Sequence, residues 1–221
     1  MGSKKVVDVL MGANSLLNDY DVERWPLADL LNWYNDAQRA IVVRRPDAST
    51  TTDQFTCQRR ALQHLPISGI RLIDVIQNHF SGRVITLMDV NVLDQHDREW
   101  RNSEGKGKNE DIEHYTYDDR LPKEFYLYPV PTAGHIIEVS YTVLPQEVVI
   151  GDFSTDDQSI ELDDVYVNPL IDYIVYKALI KDSEHSANMQ VAGSMFNSFK
   201  VGLGEKLEAD GASSPTMKGA N

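Results

Sequence analysis

The sequence predicts an α+β protein: a helical bundle built from the N- and C-terminal helices, with a β-rich domain inserted between them. Three observations carry this. Apolar residues recur at helical spacing near both ends, the period shortens to about two between Phe55 and Ile160, and Asn168–Asp182 is apolar nearly all round. Apolar stripes at both ends need covering, and packing them on one another leaves the middle as an insertion. On this reading residues 1–50 and 162–208 form the discontinuous bundle domain, 51–161 the inserted domain and 209–221 a flexible tail.

The first helix spans residues 5–18, with Val6, Leu10, Ala13 and Leu17 at helical spacing, and Asn18–Asp21 breaks it with turn-favouring side chains. Trp25–Pro26 opens a second helix whose stripe is Leu27, Leu30, Leu31, Tyr34, Ala37 and Ile41; Arg44 and Arg45 suit its last turn and Pro46 stops it. Residues 47–53 read as a polar link. Arg71–Gln77 and Arg83–Leu87 are expected to pair as a hairpin about Ser81–Gly82, followed by a short helix within Asp89–Arg101 and a loop tip at 102–109. Phe125–Tyr128 is a short strand, and Ile137, Val139, Tyr141 and Val143 alternate with polar residues in another. Asp152–Asp157 is an acidic loop leading to the central helix, for which Asn168 is the expected N-cap and Pro169 the first helical residue. Ser183 is read as capping the last helix, with Met189, Ala192, Met195, Phe196, Phe199, Leu203 and Leu207 as its stripe. Beyond it, the polar segment 209–221 cannot build a core.

A chain of 221 residues and net charge −13 holds one substantial domain, or one carrying an insertion, and lacks the clustered cations of a DNA-gripping surface. The lone Cys57 excludes an intramolecular disulfide and fits folding in a reducing compartment. No signal peptide is evident, and no run approaches the ~20 apolar residues of a membrane span. No cofactor motif is present. Gly105–Lys108 is not a phosphate loop, His96–Glu99 is not a zinc-protease signature, and the six histidines are scattered. The acids Asp152, Asp156, Asp157, Glu161, Asp163 and Asp164 are read as a solvated loop in preference to a calcium site, since their spacing misses the EF-hand pattern.

Five segments resemble one known family. LADLLNWYNDAQRAIVVRRPDA (Leu27–Ala48), LDQHDREW (Leu93–Trp100), DDRLPKEFYLYPVP (Asp118–Pro131), VSY (Val139–Tyr141) and NPLIDYIVYKAL (Asn168–Leu179) are similar, in order, to segments of phage head-to-tail adaptor proteins of the tail tubular protein A type. The resemblance implies a structural virion protein and no enzyme: a ring, typically of twelve copies, seated beneath the portal protein at the capsid vertex and offering a platform to the tail nozzle protein. Such a ring would be made in the host cytoplasm, and double-stranded DNA would pass through it during genome ejection. A net charge of −13 per copy suits that passage, because like charge keeps the duplex off the wall. The alternative class is a tail-associated peptidoglycan hydrolase using paired carboxylates, although 34 acidic residues make accidental pairs inevitable.

Candidate contact residues follow. Tyr173, Tyr176 and Ile180 of the central helix, with Phe196 and Phe199 of the last one, are either a subunit interface or ordinary core. The all-round apolar character of the central helix asks for a second covering surface, which a neighbouring copy can supply. Tyr126 and Tyr128 belong either to a surface meeting the nozzle or to a strand covered on both faces; Lys106 and Lys108 belong either to a partner contact or to a solvated loop tip. Ser213, Ser214, Pro215, Thr216, Met217 and Lys218 in the tail are assigned to portal docking, as a segment that orders on meeting a partner.

Overall fold

A computed structural model describes residues 2–102, 111–182 and 186–213. In chain order its elements are α1 (Val6–Leu17), α2 (Leu27–Arg44), β1 (Thr50–Thr56), β2 (Leu62–His64), β3 (Gly69–Asn78), β4 (Thr86–Leu87), α3 (Val90–His96), β5 (His114–Tyr117), β6 (Glu124–Tyr128), β7 (Ile136–Val143), α4 (Val167–Lys181) and α5 (Ser186–Ser213). The protein is therefore α+β. It divides into two compact units, one made of Met1–Ala48 and Pro145–Asn221 and the other of Ser49–Leu144. No helix among the described residues is long and apolar enough to cross a membrane.

In the helical unit α4 packs against α1, α2 and α5. One face of α4 buries Leu170, Ile174 and Ala178. Gly12 lets α1 come close on this side, since a Cβ there would lie 3.0 Å from Ile171 Cδ1. Tyr173 and Tyr176 turn toward α5 instead. The second covering surface that α4 asks for, which a neighbouring copy could supply, is α5 of the same chain. Hydrophobic periodicity identifies an apolar face but not what covers it. The N-cap expected at Asn168 is also corrected. A 3-10 turn at Asp164–Tyr166, capped by the Asp163 carboxylate accepting Val165 N–H at 3.0 Å, feeds into α4 at Val167, so Pro169 is the third helical residue and is buried.

Two extended segments are stitched onto these helices. Val6 N–H donates to Gln158 O at 2.9 Å and Ile160 N–H to Lys4 O at 2.9 Å, pairing the start of the chain with 158–160. The Asp164 carboxylate accepts from Ser3 N–H at 2.7 Å and Ser3 Oγ at 2.6 Å, and the Ser3 hydroxyl holds its carboxyl below the ordinary range. Farther along, Asn35 of α2 holds Val148 through both its amide oxygen and its amide nitrogen. The sequence reading carried the β-rich unit to 161. Residues from Pro145 onward instead belong with the helices, because backbone pairing and Asn35 fix them there. At the far end α5 runs through Ser213, so residues 209–213, expected to belong to the tail, are helical.

The β-rich unit holds a three-stranded sheet of order β1-β7-β3 and a four-stranded sheet of order β2-β6-β5-β4. β7 is the centre of the first, antiparallel to both neighbours, and its alternating Ile137, Val139 and Tyr141 are buried. The polar link expected at 47–53 is a strand from Thr50, where three consecutive β-branched threonines register against Ser140–Thr142. The expected hairpin of 71–77 with 83–87 shrinks to a bridge between Gln77 and Val84 around Gly82, whose φ is +68°. After Ile85 the chain leaves β3, and Thr86–Leu87 pairs parallel with β5 in the other sheet. β6 is covered on both faces. Phe125 and Leu127 join Val75, Tyr115, Ile137 and Val139 in the main core, while Tyr126 and Tyr128 pack on a second cluster around Leu93, Trp100 and Val130.

Candidate interaction surfaces

The two pairs of aromatic residues on α4 and α5 meet because each pair is spaced three apart and so lies on one helical face. Tyr176 stacks on Phe196 with centroids 4.7 Å apart, and Tyr173 tilts against Phe199 at 5.1 Å. Phe199 is fully buried within the chain, whereas Tyr173, Tyr176 and Phe196 are half-buried and Ile180 is 37% exposed. Four of the five residues read as a subunit interface therefore form one cluster inside the subunit, and Phe199 offers no surface. Cations roof the cluster. Arg44 lies 5.3 Å from the Phe199 centroid, Lys200 5.3 Å from that of Phe196 and Lys177 5.9 Å from that of Tyr173. Lys177 also pairs with Asp36 at 3.3 Å.

The second candidate surface lies in the β-rich unit. The Trp100 indole N–H donates to Asp94 at 2.8 Å, and Arg101 grips the same carboxylate at 2.6 Å while covering the Trp100 ring at 4.6 Å. Those two donors, the indole first, hold the Asp94 carboxyl below the usual range. Tyr126 meets Trp100 edge-on at 5.7 Å, and Tyr128 stacks on His114 at 6.4 Å. Next to them a half-open cavity of about 280 Å³ is lined by Met88, Val92, Leu93, His96, Glu113, His114 and Tyr128. The tyrosines expected to meet a partner are thus half-buried, with Tyr128 edging this cavity. Lys106 and Lys108 fall outside the described residues, as do Ser214, Pro215, Thr216, Met217 and Lys218; Ser213 is the last residue of α5.

The acidic segment is organised by its own backbone. Asp152 accepts from Ser154 N–H at 2.9 Å and Ser154 Oγ at 2.7 Å, which holds its carboxyl below the ordinary range; Asp156 accepts from Gln158 N–H at 3.0 Å, and Glu161 from Gln146 N–H at 2.9 Å. Among the described residues no group of three or more His, Cys, Asp or Glu is arranged to hold a metal ion. Cys57 follows β1, is 3% exposed, and burial pushes its thiol up to about 12. A thiol reagent at pH 8 is therefore expected to leave the folded protein unlabelled and to label it stoichiometrically in urea. Rapid labelling of the folded chain would show that the thiol is accessible.

The sequence reading missed the buried asparagines Asn35 and Asn78, each 3% exposed or less and each tying segments distant in sequence. In Asn35 the only sign was a polar residue inside an apolar helical stripe. Residues 5–218, nearly the whole chain and both of its units, match the family described as SU10 adaptor protein. No curated protein matches.

Proposed function

The chain belongs to the SU10 adaptor protein family of phage head-to-tail adaptors, and on that membership we propose that it forms a ring between the portal protein and the tail nozzle, through which double-stranded DNA passes. The observation that carries the reading is the span of the match, residues 5–218, which takes in the helical unit and the β-rich unit alike. The charge supports it: at −13 per copy, a ring of about twelve would repel the duplex and release it freely. We place the contact between copies on the helical unit, at the exposed flank around Ile180 with Tyr173, Tyr176 and Phe196. Portal docking is assigned to residues 209–221, and contact with the nozzle to Tyr126, Tyr128, Lys106 and Lys108. Assembly takes place in the host cytoplasm before the particle is complete.

Native mass spectrometry of the protein with and without portal tests this. Rings bound to portal are expected, and a chain ending at residue 208 is expected to lose that attachment. A protein that stays monomeric with portal present would defeat the proposal, and a truncated chain that attaches normally would remove the tail's role.

A further inference from the structure

Most arginines of this protein meet a carboxylate. Arg24, Arg39, Arg45, Arg71, Arg83, Arg101 and Arg120 each pair with an aspartate. Arg44, in the last turn of α2, and Lys200, in α5, pair with none among the described residues, and both are exposed. Their common neighbour is an aromatic ring: Phe196 lies 5.7 Å from the Arg44 guanidinium and 5.3 Å from the Lys200 ammonium. Phe196 is itself half-buried on Tyr176. Two unneutralised cations bracketing a half-covered ring make a shelf that offers positive charge and apolar area together.

The same unit carries a segment of the opposite character. Asn35 grips Val148 through both of its backbone groups, anchoring the chain there. Burial alternates along it: Val148 and Ile150 are buried, Glu147 is exposed and Val149 is 76% exposed. Asp152 and Asp156 then bind their own loop, and Asp157 stands exposed with no partner among the described residues. Glu147, Val149 and Asp157 thus present carboxylates around an exposed apolar side chain, on a frame that is already ordered.

We propose that the Arg44–Phe196–Lys200 shelf of one copy receives the 147–157 segment of a second copy. The inference rests on the ring reading above and deepens it. Copies that each carry −13 repel one another, so a contact between them needs a place where positive charge meets negative. Shelf and segment are different patches, so the contact is head-to-tail, and repeating it closes a ring if the rotation closes.

The test is ring formation on portal, followed by native mass spectrometry. Arg44→Glu with Lys200→Glu is expected to lower the ring population about tenfold or more. Adding Glu147→Lys and Asp157→Lys to the same chain is expected to restore it, because the charges are then exchanged. The milder pair Arg44→Gln with Lys200→Gln, which guards against a folding defect in the reversed chain, is expected to weaken assembly less. Normal rings from the reversed chain would overturn the proposal while leaving the adaptor reading in place. A folded four-site chain that fails to recover would also overturn it, by assigning the shelf to some partner other than a second copy. Absence of rings from the unaltered chain would remove the adaptor reading itself.

Discussion

Replacing Asn35 by leucine is expected to destabilise the helical unit by about 3 kcal/mol. The residue lies in the middle of α2 at 3% exposure, where leucine would fit by size and suit the stripe. Its amide nevertheless bridges to both backbone groups of Val148. Asn35 Nδ2 donates to Val148 O at 3.0 Å, and Asn35 Oδ1 accepts from Val148 N–H at 3.0 Å. Gln38 Nε2 approaches the same oxygen at 3.4 Å, and the Tyr34 hydroxyl donates to Gln38 Oε1 at 3.3 Å. Leucine would leave both Val148 backbone groups buried without partners, each costing about 1–3 kcal/mol, and would strip Gln38 of an acceptor. The gain from the added apolar area is smaller than that loss. Aspartate at the same site would keep the acceptor but place it against the Val148 carbonyl, which has no hydrogen to give. Urea unfolding followed by tryptophan fluorescence reads the effect, since Trp25 and Trp33 both lie in this unit. Hydrogen exchange at Val148 reads it locally. An unchanged urea midpoint with full protection of that amide would show that the Asn35 bridge contributes nothing.

The same residue shows how far the sequence can be read. α1, α2 and α4 were legible because burial at one face imposes a 3.6-residue period that survives in the chain. Asn35 was visible as an interruption of that period, but its partner lies 113 residues away and nothing local points to it. The aromatic cluster behaved similarly. Tyr173, Tyr176 and Phe196 could be recognised as residues needing a partner, while the choice between α5 and a neighbouring copy depends on the angle at which α5 returns. In the β-rich unit the central strand β7 is legible because burial alternates from Ile136 to Tyr141, before the buried Thr142 breaks the pattern. β1 is legible only toward its end, at Phe55, which packs against the main core; its other residues are polar and mostly exposed, so Thr50–Asp53 reads as a link. β5, with buried Tyr115 and Thr116 side by side, has no alternation to detect. What the sequence does carry is the family resemblance in the order of its segments, and the match over 5–218 shows that family.

Asn78 is the corresponding joint of the β-rich unit, and Asn78→Ala is expected to cost that unit about 3–4 kcal/mol. The side chain is 1% exposed at the end of β3, and all of its hydrogen-bonding capacity is engaged. Nδ2 donates to Ile112 O at 2.8 Å and Arg83 O at 3.1 Å, while Oδ1 accepts from Ile112 N–H at 2.8 Å and meets His135 Nε2 at 2.8 Å. Because an amide oxygen can only accept, Nε2 must carry the hydrogen in that contact. Alanine would free both backbone groups of Ile112, itself 1% exposed, and release the segments that carry β5 and β7 from the turn after β3. The effect should appear as a lower urea midpoint and as lost amide protection at Ile112; retention of both would show that the network is idle. The histidine gives the joint a pH dependence whose direction can be worked out. Burial holds the His135 imidazole below its ordinary value of 6.5, with Asp111 opposing that shift. The unfolded chain therefore takes up a proton before the folded one does, so this contribution is complete above the unfolded value and is lost as pH falls through it toward the folded one. His135→Gln keeps an N–H donor for Asn78 but cannot titrate, so its stability should fall less steeply with acidification below pH ~6.5 than that of the unaltered protein. Identical pH profiles for the two would mean that the imidazole titrates alike folded and unfolded, and that Asn78 alone holds the joint.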